Sequence, residues 1–206
     1  NLKIKIPSKV KYSKSNSFKI IHPNKKEKNN CVQILYYCYS GFKKYKKTIL
    51  VYFLRKIISQ PFYDKLRTKE QLGYLVNFGI KIIGDKVYIS QKIQSEFDVN
   101  VIIKKINSFN KTFFDEIKNM SVKNWNNWKN ILKEELNISL DIKKTWIRHS
   151  NYINEIISGD YDFNRSKNLL EILNDIKLND VIKYYKDNVL NSTYKSIMKI
   201  VSQKNV

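Results

Sequence analysis

Two adjacent strand-like segments limit what this chain can fold into more than any other feature of its sequence. Residues 72–83 and 86–94 are rich in β-branched and aromatic residues, and only Gly84 and Asp85 separate them. A short polar link of this kind predicts a tight turn between antiparallel strands. The sequence therefore predicts a β-hairpin, which excludes a purely helical fold.

The segments around the hairpin carry both helical and strand patterns. Residues 31–39 predict a strand, and the apolar spacing of residues 42–60 predicts a helix. Pro61 is expected to start a second helical piece, over 62–70. Further helices are expected from a cap at Asp98, from a cap at Ser121, and over 139–158, 166–173 and 179–189, with a last strand over 194–202.

This order of elements predicts an α+β fold, in which an antiparallel sheet is layered with several helices on one face. Residues 1–28 are predicted to form a basic lead-in or linker arm, and residues 29–206 a single domain. The arm is Lys-rich and contains one acidic residue, Glu27. A solvated edge strand is the alternative for this segment.

The net charge of +21 at pH 7 first suggests a nucleic-acid partner, because a basic surface attracts phosphate. Only four of the 39 basic residues are Arg, however, and Arg is preferred for bidentate contacts to phosphate and guanine. The chain has 29 Ile, 24 Asn and no Ala, which indicates a genome-wide skew in amino-acid composition. The high Lys content fits the same skew and not selection for one ligand, so we expect no nucleic-acid partner. The longest strictly apolar run has six residues against the ~20 of a membrane-spanning helix, so we expect no membrane partner.

An inventory of side chains tests for metal and nucleophile chemistry. His22 and His149 lie in neither H-E-x-x-H nor H-x-x-E-H, so the sequence predicts no metal site in this chain. His149 is expected to be a partly buried structural residue. Cys31 and Cys38 fall on opposite faces of one predicted strand, which is typical of separate thiols. Patterns for a P-loop, a nucleotide-binding glycine loop or a G-x-S-x-G nucleophile are absent from the sequence, so no cofactor-binding residue is predicted.

The segment LRTKEQLGYLV, residues 66–76, holds the candidate functional residues. It places Arg67 at the end of a predicted helix and Tyr74 at the start of the next strand, with Gly73 permitting a close backbone approach. Together the two side chains can donate hydrogen bonds to a carbonyl or a developing oxyanion. A structural role is the alternative, with Arg67 satisfying the helix C-terminus and Tyr74 half-buried in a strand. The residues alone favour the structural role.

The same segment, with residues 57–61 (IISQP), resembles the C-terminal (fourth) domain of the insulin-degrading-enzyme-like peptidases. These form part of the pitrilysin/insulinase family of inverzincin zinc metallopeptidases. The resemblance continues in register through 93–96 (IQSE), 155–163 (EIISGDYDF) and 180–186 (DVIKYYK). It covers about residues 15–203, and the eleven-residue block is highly specific.

The resemblance implies a metallohydrolase domain of the pitrilysin/mitochondrial-processing-peptidase type. In that family two halves enclose a chamber, and H-x-x-E-H in the first domain binds zinc. The resemblance therefore implies a zinc metalloendopeptidase whose Zn²⁺ and upstream N-terminal half lie outside this chain, with peptides as substrates. It implies that Tyr74 hydrogen-bonds the substrate near the scissile carbonyl and that Arg67 fixes the peptide backbone or the oxyanion. This chain alone lacks H-x-x-E-H and is expected to be inactive.

Two other functions compete with this one. The first is a catalytically silent, processing-peptidase-like structural subunit, against which Arg67 and Tyr74 argue. The second is a basic nucleic-acid-binding module, which no aromatic-basic signature supports. The sequence leaves the physiological substrate and a homo-oligomer open. Two unpaired cysteines and the absence of an export signal favour a reducing, cytoplasmic compartment.

Overall fold

Five strands and six α-helices form the described part of this computed structural model, which comprises residues 15–41, 43–141, 143 and 145–205. The strands are β1 (Asn16–Ile21), β2 (Asn30–Ser40), β3 (Leu75–Ile83), β4 (Lys86–Ser95) and β5 (Lys195–Val201). The α-helices are α1 (Tyr45–Tyr63), α2 (Val99–Lys118), α3 (Val122–Leu140), α4 (Thr145–Ser158), α5 (Arg165–Leu173) and α6 (Leu178–Tyr185). Short π-helical segments follow α1 and α6, at Asp64–Lys69 and Lys186–Leu190, and a 3-10 turn, Gln203–Asn205, follows β5.

The five strands form one sheet in the order β1-β5-β2-β4-β3. The α+β class is confirmed, but the sheet is not antiparallel throughout, because β1 pairs in parallel with β5. The physical reason is that β5 lies between β1 and β2. Both β1 and β5 run antiparallel to β2, so they run parallel to each other. Part of the predicted arm is thus the edge strand β1, the alternative considered for it. The predicted domain boundary between residues 28 and 29 stays a prediction, and residues 1–14 and 206 lie outside the described residues.

Helices α1 and α2 pack on one face of the sheet and build the core with it. In β2 the alternate residues Val32, Ile34 and Tyr36 are buried in this core, whereas Gln33 and Tyr37 on the other face are partly exposed. No helix in the described ranges has the length and apolar character needed to cross a membrane.

The predicted helix caps and the stripe of α2 are confirmed. The Asp98 carboxylate accepts a hydrogen bond from the Asn100 N–H at 2.7 Å, and the Ser121 hydroxyl oxygen accepts one from the Asn124 N–H at 3.2 Å. The buried residues that form the stripe are Ile102, Ile106, Phe109, Phe113 and Ile117. Spacings of three and four residues place them on one side of the helix, so burial of that side fixes α2 against the sheet.

Helix α1 corrects one prediction, since Pro61 lies inside it and does not separate two helices. Ile58, Phe62 and Leu66 line up on the buried side across the proline, and their burial holds the segment on one axis. The chain then widens into the π-helical segment Asp64–Lys69 and does not form the separate helix expected over 62–70. Phe42, predicted to be the first residue of α1, lies outside the described residues.

Candidate functional site

The segment between α1 and β3 forms an irregular turn. The Glu70 N–H donates to the Lys65 carbonyl at 3.0 Å, and the Leu72 N–H donates to the Leu66 carbonyl at 2.9 Å. Gln71 has a φ of +47°, in the left-handed region that non-glycine residues rarely adopt. These features reverse the chain within a few residues, and β3 consequently begins at Leu75 and not at residue 72.

Gly73 fixes this turn against the end of β4. A Cβ atom at Gly73 would lie 2.1 Å from the Gln94 carbonyl oxygen, so only glycine permits this approach of the two backbones. The Ser95 hydroxyl donates to the Leu72 carbonyl and accepts a hydrogen bond from the Phe97 N–H at 3.0 Å. The residues on both sides of Gly73 are therefore held by β4 and the loop that follows it.

The turn brings the two predicted site residues together. The Arg67 guanidinium carbon lies 5.7 Å from the centroid of the Tyr74 ring, a cation–π arrangement. Tyr74 is 85 % exposed and precedes β3, so it is not the half-buried strand residue of the structural alternative. Arg67 is half-buried, and no carboxylate of the described residues lies within ion-pair distance of it. Its hydrogen-bond donors are therefore accessible to a ligand.

Arg67 and Tyr74 line a cavity of about 580 Å³. Its walls also include Tyr63, Glu96 and Phe97, which the residue-based analysis did not single out. Glu96 is the last residue of the IQSE segment, which resembles the peptidase family. This resemblance was the only feature of the sequence that pointed to this wall of the cavity. Guanidinium, phenol and amide donors beside aromatic rings suit a ligand that is both polar and apolar, as an extended peptide is.

The described residues do not fit a zinc centre. They contain no group of three or more His, Cys, Asp or Glu side chains arranged to hold a metal ion. Burial raises the pKa of Cys38 to about 12 and also raises that of Cys31, so both thiols stay protonated at neutral pH. His149 is exposed on α4, so the expectation that it is partly buried is wrong. The reason is that α4 turns another side toward the core.

Comparisons with known proteins give consistent matches. A family model described as "PQQ synthase PqqF-like, C-terminal lobe domain 4" matches residues 53–142. The insulin-degrading enzyme of Drosophila melanogaster is 29 % identical over 164 residues, which cover 79 % of this chain and 16 % of that protein. Human nardilysin is 25 % identical over 172 residues, which cover 79 % of this chain and 14 % of that protein.

Solved structures show the same fold. A crystal structure of pitrilysin superposes with a TM-score of 0.75 at 15 % identity, covering 95 % of this chain and 21 % of that chain. A structure described as a "peptidase M16 inactive domain" from Pseudomonas fluorescens has a TM-score of 0.61 at 12 % identity, covering 92 % of this chain and 44 % of that one.

The fold of this chain is the one seen in pitrilysin and in the M16 peptidase domain of known structure. In sequence the chain is similar to a PqqF-like C-terminal lobe domain, to insulin-degrading enzyme and to nardilysin, so the resemblance inferred from its residues is confirmed. The chain spans about a sixth of the length of the curated relatives that it matches.

Proposed function

We propose that this chain is the non-zinc C-terminal domain of an insulinase-like zinc metalloendopeptidase. In this proposal it closes the degradation chamber and binds the peptide substrate at the scissile bond through Arg67 and Tyr74. Zinc, which activates the attacking water in such enzymes, would be held by another part of the polypeptide. The observation that carries the proposal is the cation–π pair of Arg67 and Tyr74 on the wall of the cavity.

The chemistry of the two side chains supports this role. The carbonyl oxygen of a peptide gains negative charge when water attacks it, and a donor aimed at that oxygen stabilises the transition state more than the bound substrate. Tyr74 offers one O–H donor, and Arg67 offers several N–H donors with a fixed positive charge. The contact with the Tyr74 ring keeps the guanidinium close to the phenol, so both donors are available to one ligand.

The position of the pair also supports peptide binding. Tyr63 and Phe97 supply aromatic surface in the same cavity, and the polar residues Asn29 and Thr68 also line it. An extended peptide needs both kinds of contact, since its backbone amides alternate with side chains. The cavity therefore offers backbone partners and side-chain contacts within reach of the two donors.

The test uses the longer polypeptide that contains this chain. We expect Tyr74→Phe to lower kcat/KM for a peptide by about tenfold to a thousandfold, as for the loss of one oxyanion donor, with unchanged zinc content. Arg67→Lys keeps the charge but loses the planar donor set, so a loss is expected there also. Tyr161→Phe, an exposed tyrosine outside the cavity, is the matched control. Wild-type kinetics with Phe at position 74 would remove Tyr74 from the mechanism.

A catalytically silent subunit is the second candidate, because a structure of this fold is described as an inactive M16 domain. It predicts that the longer polypeptide, supplied with zinc, cleaves no peptide, and that Tyr74→Phe changes nothing that an assay can detect.

A further inference from the structure

Two residues of opposite charge line the candidate cavity, and neither has an ion-pair partner among the described residues. Of the residues in the walls, Arg67 and Glu96 are the charged ones. The ion pairs in the described part of the chain all join other side chains, so Arg67 and Glu96 do not pair with each other either. A ligand that fills the cavity therefore meets an uncompensated cation and an uncompensated carboxylate.

Hydrogen bonds on both sides of Glu96 fix its backbone. The Phe97 N–H donates to the Ser95 hydroxyl oxygen at 3.0 Å, and the Phe97 carbonyl accepts a hydrogen bond from Asn30 Nδ2 at 2.8 Å. Asn30 is fully buried, and its Oδ1 accepts from the Ser202 N–H at 2.8 Å. The loop after β4 is thus tied to the start of β2 and to the end of β5. Only the side chain of Glu96 has to be ordered when a ligand binds.

Aromatic residues lie beside this carboxylate in the cavity wall. Tyr63 and Phe97 are 43 % and 50 % exposed and line the same cavity as Glu96. A cation is attracted to the face of an aromatic ring, and a carboxylate supplies the opposite charge and hydrogen-bond acceptors. A neutral apolar group would instead remove water from Glu96 and leave its charge unpaired. This part of the wall therefore favours a protonated amine or a guanidinium on an apolar stem, as in Lys and Arg side chains.

We propose that Glu96 determines specificity by selecting peptides that carry a Lys or Arg side chain close to the scissile bond. This inference rests on the proposed function, under which Arg67 and Tyr74 bind the peptide at that bond. The two charges of the cavity also set the register of the peptide. A basic side chain is repelled by Arg67 and attracted by Glu96, whereas the carbonyl oxygen prefers the guanidinium.

The experiment compares matched peptides on the longer polypeptide that contains this chain. One set carries a single Lys at successive positions, and the other carries norleucine, which has an apolar stem without the charge. Both sets are acetylated and amidated at their ends, and mass spectrometry identifies the cleaved bond. We expect the wild type to prefer the Lys set, and Glu96→Gln to lower the ratio of kcat/KM for Lys over norleucine about tenfold. Glu134→Gln is the matched control, since Glu134 is exposed on α3 outside the cavity; it should keep the wild-type ratio.

Charge reversal separates a change of specificity from a loss of folding. Glu96→Lys presents an ammonium group where the wild type presents a carboxylate, so we expect it to prefer peptides with Glu over the matched peptides with Lys. A misfolded variant would lose activity on both sets and would not exchange one preference for the other.

Binding measured without turnover separates this inference from the proposed function. The Kd values of the same peptides are determined by fluorescence anisotropy on polypeptide from which zinc has been removed. A Lys preference that Glu96→Gln abolishes, in a polypeptide that cleaves no peptide when zinc is supplied, would support the role of Glu96 and contradict the proposed function. Equal kcat/KM for both sets in the wild type, or a Lys preference that Glu96→Gln retains, would overturn the role of Glu96 alone. A preference seen only with peptides whose ends are not blocked would assign the cation to the α-amino group and overturn the side-chain selection.

Discussion

Replacing Gly73 with Ala tests how the candidate site is built. The added Cβ would lie 2.1 Å from the Gln94 carbonyl oxygen and 3.0 Å from its carbonyl carbon, and both are backbone atoms that no rotamer change can move. An ordinary contact of this type needs more than 3 Å, so the turn and β4 must separate by about 1 Å. Strain of this kind costs about 2 to 3 kcal/mol. It acts where the Ser95 hydroxyl binds the Leu72 carbonyl.

Urea unfolding followed by circular dichroism measures that cost. With an m-value of about 2 kcal/mol per M, we expect the midpoint of Gly73→Ala to fall by about 1 M. Gly79→Ala is the matched control, because its Cβ would meet only the side-chain oxygen of Asn77, at 3.4 Å. We expect that variant to unfold within about 0.5 kcal/mol of the wild type, as substitutions without a steric conflict do.

The same substitution should displace Tyr74, which follows Gly73 directly. In the longer polypeptide we therefore expect Gly73→Ala to lower kcat/KM along with stability, whereas Gly79→Ala should change neither. A wild-type midpoint for Gly73→Ala would refute the reasoning, since the predicted overlap would then not exist in solution. A lower midpoint with unchanged kinetics would instead show that the position of Tyr74 does not matter for turnover.

Two further predictions concern ionisation and metal content. Burial raises the pKa of Asp160 to about 6, against the lowering effect of Arg165, so between pH 4 and 6 the folded chain binds a proton that the unfolded chain has lost. The free energy of unfolding therefore falls as pH rises through this window. In urea unfolding, the stability of Asp160→Asn relative to wild type should rise by about 1 to 2 kcal/mol between pH 4 and pH 7. A difference that does not change with pH would contradict this. The isolated chain should neither retain zinc after dialysis nor cleave peptides, and stoichiometric zinc by elemental analysis would overturn the ligand inventory.

Local signals in the sequence predicted most of the secondary structure. The Asp98 and Ser121 caps lie within three residues of the N–H groups that they satisfy, and the stripe of α2 repeats every turn. The turn at Gly84, whose φ is +60°, likewise depends on adjacent residues. Each of these patterns is set by contacts within one or two helical turns or one hairpin, so the sequence alone could reveal them.

Contacts between distant residues escaped this reasoning. The residues next to Pro61 predict that a helix starts there. Burial of residues on both sides of the proline nevertheless keeps α1 continuous. Helix α4 exposes Ile153, Ile156 and Ile157 and buries Glu155, which pairs with Arg165 on α5. The apolar residues of α4 recur at helical spacing whichever side of the helix is buried. Periodicity alone therefore could not show that these isoleucines face solvent.

For the candidate site, the sequence by itself determined the residue types and their order, and its resemblance to a peptidase family singled out Arg67 and Tyr74. The tertiary structure decided that the two side chains meet on the wall of a cavity. The physical reason is that their distance depends on how closely the turn approaches β4. Packing of Gly73 against the Gln94 carbonyl, 21 residues away, sets that approach, and no pattern of neighbouring residues encodes it.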